Sequence, residues 1–148
     1  MAEKQIKLTI DSRLQNVFLI GLAVNKICSH LGFSELDSYQ LELCVVEAVN
    51  NVIIHAYKRK AGHEVKVTFR LHPDKLIIDV CDAGKPMEHD LLEKKNLSSL
   101  EFDPGDLGSI PEGGMGLVII KEIMDSTGYK TEDGENHLTM TKKLPSKS

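Results

Sequence analysis

One segment limits what this chain can fold into. Across residues 34–57, Leu41, Leu43, Cys44, Val45, Val46, Ala48, Val49, Val52, Ile53 and Ala56 leave almost no polar face, so the segment reads as a helix enclosed by protein on most sides. Ser34-Glu35-Leu36-Asp37 opens it with a hydroxyl placed to take a free amide. Glu47, Asn51 and His55 interrupt the apolar surface at spacings of four. Each such step overshoots a full turn by about 40°, so the three side chains form a short spiralling row. A carboxylate, an amide and an imidazole are costly to bury without partners. Either the row is a solvated stripe with its hydrogen bonds satisfied, or it faces a ligand.

The rest of the chain supplies a sheet and two further helices. Residues 5–10 alternate in the manner of a half-buried strand. Leu14, Val17, Phe18, Leu22, Val24, Ile27 and Leu31 recur at helical spacings and Gly32 closes that helix. Val65, Val67, Phe69 and Leu71, then Leu76, Ile78 and Val80, alternate on either side of Pro73-Asp74 and predict an antiparallel hairpin. Residues 83–112 carry Pro86, Pro104 and Pro111 and hold at most a short helix near 88–95; so long a connection in a compact domain is usually a lid or disordered. An amphipathic run over 117–124 and two strands, near Tyr129 and over 138–144, complete the chain.

Three places carry candidate chemistry. In the ligand reading of the helical row, Asn51 offers an amide oxygen to Mg²⁺, which keeps octahedral oxygen ligands and bridges phosphates, and Glu47 is a nearby base. Asp82 shares the alternation of Leu76, Ile78 and Val80 and so points toward the core layer. A carboxylate there needs donors, and an exocyclic amine such as that of adenine is one, with Gly84 allowing close backbone approach to a flat ring; an ordinary Asp-x-Gly turn explains the same tripeptide. Gly113-Gly114-Met115-Gly116-Leu117 opens a helix whose free amides suit a polyphosphate, or else it is a lid hinge. Neither a P-loop nor a Rossmann glycine pattern occurs.

Taken in order, E-x-x-x-N-x-x-x-H on a helix, D-x-G after an antiparallel strand, a long connection and G-x-G before another helix resemble the N, G1 and G2 boxes of the GHKL (Bergerat-fold) ATPases. EAVNNVIIHAY, DAGKPM, EGGMGLVIIKEIMD and LTMTKKL resemble the anti-sigma-factor serine/threonine kinase branch over nearly the whole chain. The resemblance implies an α/β (α+β) two-layer sandwich, with helices on one face of a mostly antiparallel mixed sheet and an ATP lid at about residues 83–112. It implies ATP and Mg²⁺ as cofactors, with Asn51 on the metal, His55 close to the nucleotide, Asp82 on the adenine amine and Gly84 at the base edge. By the same resemblance, Gly113, Gly114, Met115, Gly116 and Leu117 are expected to form the phosphate-binding stretch, and Glu47 to orient or deprotonate the attacking hydroxyl. Pro86 stands where a fuller D-x-G-x-G pattern has its second glycine, and Glu112 where some kinases have arginine. Arg13 is either a partner contact or a solvated helix-start residue.

Composition narrows the function classes. A chain of 148 residues fits one domain, 1–148, with 41% apolar and 27% charged residues; such a domain buries about 70% of its unfolded surface. The net charge of −4 and the scattered basic residues give no electrostatic footprint for nucleic acid or anionic lipid. Cys28, Cys44 and Cys81 are odd in number and set in apolar runs, which reads as reduced core thiols and not as a disulfide or zinc framework. A cytosolic location follows, with neither secretion nor membrane insertion expected. The family resemblance, not the composition, implies a kinase that phosphorylates an anti-anti-sigma (STAS-type) partner and sequesters a sigma factor or similar regulator, as a homodimer. The alternative is a nucleotide-gated binding module or weak ATPase without kinase activity. A third reading, a stand-alone histidine-kinase catalytic domain, lacks a phosphoacceptor helix ahead of it.

Overall fold

The computed structural model describes residues 4–88, 92 and 115–146. The expected lid beyond Glu88, Leu92 apart, and Gly113 and Gly114 of the glycine turn lie outside the described residues. Strand β1 (Lys4–Asp11) leads through a short 3-10 turn, Leu14–Asn16, into α1 (Val17–His30). Helix α2 (Glu35–Asn51) continues as a π-helical turn, Val52–Ala56. β2 (Glu64–Leu71), β3 (Lys75–Asp82), α3 (Met115–Ile123), β4 (Ser126–Glu132) and β5 (Glu135–Lys143) follow.

Local chemistry sets the boundaries. Gly32, at φ +96°, ends α1 in a conformation that a side chain disfavours. Ser34 caps α2 by accepting from the Asp37 amide at 3.0 Å, and Glu35 and Asp37 place negative charge at the positive end of the helix dipole. Asp133 and Gly134, at φ 53° and 80°, form the tight turn that fixes the β4–β5 register.

The strands run in the order β1-β2-β3-β5-β4, and every described pairing is antiparallel. Alternation puts Val67, Phe69, Ile78, Val80, Leu138 and Met140 on one face, where Leu41, Cys44, Val45, Ala48, Val49 and Ile53 of α2 and Leu117 and Ile120 of α3 join them in one core. Each large side chain buried there contributes about 1.5–3 kcal/mol. Helix α1 packs on α2 at Gly21, where an added β-carbon would come within 3.1 Å of Val46. Its apolar spacing misleads in part. Val17, Ile20, Val24 and Cys28 face inward, whereas Phe18, Leu19 and Leu22 stay more than half exposed, because among the described residues α1 packs chiefly through the side turned to α2.

Candidate functional site

Helices α2 and α3 meet at the first two of the polar residues. Glu47 and Asn51 sit half-buried near the end of α2, one α-helical step apart. Gly116, at the start of α3, lies directly against them: a β-carbon there would stand 2.8 Å from Glu47 Oε2 and 3.4 Å from Asn51 Nδ2. The absence of a side chain at Gly116 is what lets the start of α3 approach this pair. Leu117, the next residue, is buried in the core and anchors the helix. Gly113 and Gly114 fall outside the described residues, as does the side chain of Met115.

His55 follows in a turn of different pitch. It lies in the π-helical turn, where Tyr57 N donates to Val52 O at 2.9 Å, five residues back. A wider turn rotates less per residue, so the step from Asn51 to His55 does not repeat the step from Glu47 to Asn51, and His55 is exposed. Apolar spacing alone gives no signal of that change.

The end of β3 is drawn against the same helical segment. Asp82 is 6% exposed, and its Oδ1 accepts from Gly84 N at 2.8 Å and from Asn136 Nδ2 at 2.8 Å. Both described bonds fall on Oδ1. Burial pushes the Asp82 carboxyl up from the usual carboxylate range, while the bonds from Asn136 and Gly84 hold it down in part. Gly84 is a glycine for a packing reason: a β-carbon would stand 2.6 Å from the Ala56 carbonyl oxygen, and Lys85 N donates to that same oxygen.

Two residues that the sequence did not single out hold this arrangement. Asn136, 1% exposed, donates to Asp82 and to Gly84 O and accepts from Thr131 Oγ1 at 2.7 Å. Tyr57 donates to Glu64 O and accepts from Ala83 N, tying the π-helical turn to the exit of β3. Asn136 lies opposite Asp82 only because β3 pairs with β5 in that register, a relation that spacing along the chain does not carry. A shallow pocket of about 210 Å³ bordered by Ala56, Tyr57, Lys58 and Gly84 excludes Glu47, Asn51 and Gly116, and it falls below the ~300–1,000 Å³ usual for ligand sites. Arg13 pairs with Asp11 at 2.9 Å on the surface. Among the described residues, no helix is long and apolar enough to cross a membrane.

Residues 10–142 match the family model of the histidine kinase-like ATPase domain. The chain belongs to this family. It is 31% identical over 139 residues to the serine-protein kinase RsbW of Halalkalibacterium halodurans, covering 94% of this chain and 83% of that protein. To RsbW of Bacillus cereus it is 29% identical over 143 residues, covering 94% and 84%. These relatives place it in the anti-sigma-factor kinase branch, and the family implies use of ATP. Its fold is similar to that of the RsbU and RsbW domains of Rv1364c from Mycobacterium tuberculosis, with a TM-score of 0.64 at 13% identity over 95% of this chain and 32% of that one. The SiaB-SiaC complex from Pseudomonas aeruginosa gives a TM-score of 0.57 at 14% identity, covering 93% and 89%.

Proposed function

We propose that the chain acts as one domain, a cytosolic ATP-dependent serine/threonine kinase that phosphorylates an anti-anti-sigma, STAS-type partner and, as a homodimer, sequesters a sigma factor or comparable regulator. The observation that carries the site reading is the approach of Gly116 to Glu47 and Asn51, which sets a glycine-opened helix start against a carboxylate and an amide. Free amides at such an end suit phosphate oxygens, and Gly113, Gly114 and Gly116 would leave them unobstructed. Neither Glu47 nor Asn51 makes a side-chain hydrogen bond to another of the described residues, which suits both to a ligand. This donor set fits Mg²⁺-ATP. Asn51 would hold the metal through its amide oxygen, His55 would border the nucleotide, and Asp82 Oδ2 would accept from the adenine amine. When bound, Mg²⁺ neutralises phosphate charge.

Glu47 orients the partner's hydroxyl and takes its proton, and transfer then depends mainly on positioning. The test is Glu47→Ala with a serine-bearing STAS-type protein and labelled ATP. A fall in transfer of about 10²–10⁴-fold is the expected size for loss of a general base, with Mg-ATP affinity retained. Unchanged transfer would remove Glu47 from this role, and binding without transfer in the parent chain would favour a nucleotide-gated module.

A further inference from the structure

The second polar cluster lies on the sheet face turned away from the apolar core. Cys81 on β3 and Glu135 and His137 on β5 offer a thiol, a carboxylate and an imidazole whose ligand atoms all lie within 4.8 Å of one another. Cys81 Sγ is 2.9 Å from Glu135 Oε2 and 3.9 Å from His137 Nε2. A further neighbour decides what the imidazole can do: His137 Nδ1 lies 2.9 Å from Asp79 Oδ2, and Thr139 Oγ1 donates to Asp79 Oδ1 at 2.9 Å. A carboxylate accepts and does not donate, so Nδ1 carries a proton, and in the neutral imidazole the Nε2 lone pair is turned toward Cys81. A histidine oriented by a carboxylate behind it is the usual support of a metal-ligating imidazole.

We propose that Cys81, Glu135 and His137 bind a divalent cation of the zinc class, with Asp79 as the positioning residue and the fourth coordination place open to water. Zinc bonds of about 2.3 Å to sulfur and 2.0–2.2 Å to nitrogen or oxygen put tetrahedral donors about 3.5 Å apart. The 2.9 and 3.9 Å separations lie on either side of that value, so small side-chain shifts complete the site. Binding exchanges one ion for another: the Cys81 S–H proton now shared with Glu135 leaves to solvent, a sulfur–metal bond forms, and nothing is oxidised or reduced. The thiolate and carboxylate then offset the charge of the cation. Cys81 is 5% exposed, whereas the His137 side chain is 27% exposed among the described residues, which gives the ion a route past the imidazole.

Cobalt(II) is the probe, titrated into the reduced, chelator-stripped full chain without nucleotide. One equivalent is expected to produce a sulfur-to-cobalt charge-transfer band that zinc then abolishes. The band reports this site alone, because the ligands proposed for Mg²⁺-ATP include no thiol. Cys81→Ser should lose the band while Cys28→Ser and Cys44→Ser keep it. Asp79→Asn should weaken binding by about 10–100-fold, the range for loss of an outer-shell partner. Glu135→Gln, at the half-exposed rim, provides a second reading should Cys81→Ser fold poorly by circular dichroism; at least tenfold weaker binding is expected. Absence of the band in the parent chain, its survival in Cys81→Ser, or unchanged affinity in Glu135→Gln would each overturn the proposal.

Discussion

Asp79 and Asp82 lie on the same strand and are both 6% exposed, yet they face opposite sides of the sheet and end differently. Asp79 has a partner on each oxygen, His137 on one and Thr139 on the other. Asp82 has both of its described partners on Oδ1. Equal burial therefore says little about role. A carboxylate with both oxygens engaged holds its neighbours in place, and one whose described bonds fall on a single oxygen is suited to something that arrives from outside. The same contrast separates Asn136, bonded on both sides of its amide, from Asn51, whose side chain has no hydrogen-bond partner among the described residues.

Substitutions sharpen this contrast. The largest effect on nucleotide binding is expected at Asn51, where Asn51→Ala should weaken Mg-ATP binding by about 100-fold, or ~2.7 kcal/mol. Calorimetry showing parental affinity would end the ligand reading of that amide. Next is Asp79→Ala, expected to cost about 1–3 kcal/mol of stability in denaturant titration, because it strands the donors of His137 and Thr139. Mg-ATP affinity should be unaffected, and a loss of affinity without loss of stability would erase the distinction between the two aspartates.

Asp82→Asn should act the other way round. It should lower the preference for ATP over GTP by about tenfold, or ~1.4 kcal/mol, in competition binding. Its stability effect has a definite sign. Burial raises the folded-state carboxyl above its ordinary 3.8, so the parent loses stability as pH rises from the unfolded value through the raised folded one. The asparagine variant escapes that loss: it should melt above the parent at neutral pH, and the gap should close below about pH 4. A gap that does not vary with pH would refute the burial argument. The smallest effect is expected from Gly116→Ala, where the helix gains up to about 1 kcal/mol in propensity while the new methyl displaces the Glu47 carboxylate. Thermal melting should shift little and phosphoryl transfer should fall; full transfer activity would mean that the close approach is incidental.

Much of this was legible beforehand where the signal is local. The β2–β3 hairpin follows from alternation about Pro73-Asp74, and the α2 start from the Ser34 cap. Glu47, Asn51 and Asp82 stand out because polar groups in apolar runs demand a reason. What escaped depends on pairing between distant segments. Cys81 lies in an apolar run and reads as a core thiol, yet on β3 its side chain takes the face opposite Val80 and meets residues more than fifty positions away. The π-helical turn escaped for another reason: Val52, Ile53 and Ala56 satisfy an apolar pattern with or without one extra residue in the turn.

The sheet order has a consequence for assembly. β2–β3 and β4–β5 are hairpins between neighbours in sequence, whereas β3 with β5, and β1 with β2, join strands separated by long stretches of chain. Each hairpin closes a short turn, whereas pairing β3 with β5 closes the long connection between them. Closure entropy grows only logarithmically, so doubling that connection costs about 0.6 kcal/mol. Length between β3 and α3 is thus thermodynamically cheap to vary, while the register across the seam, which sets Asn136 opposite Asp82 and His137 opposite Cys81, is not.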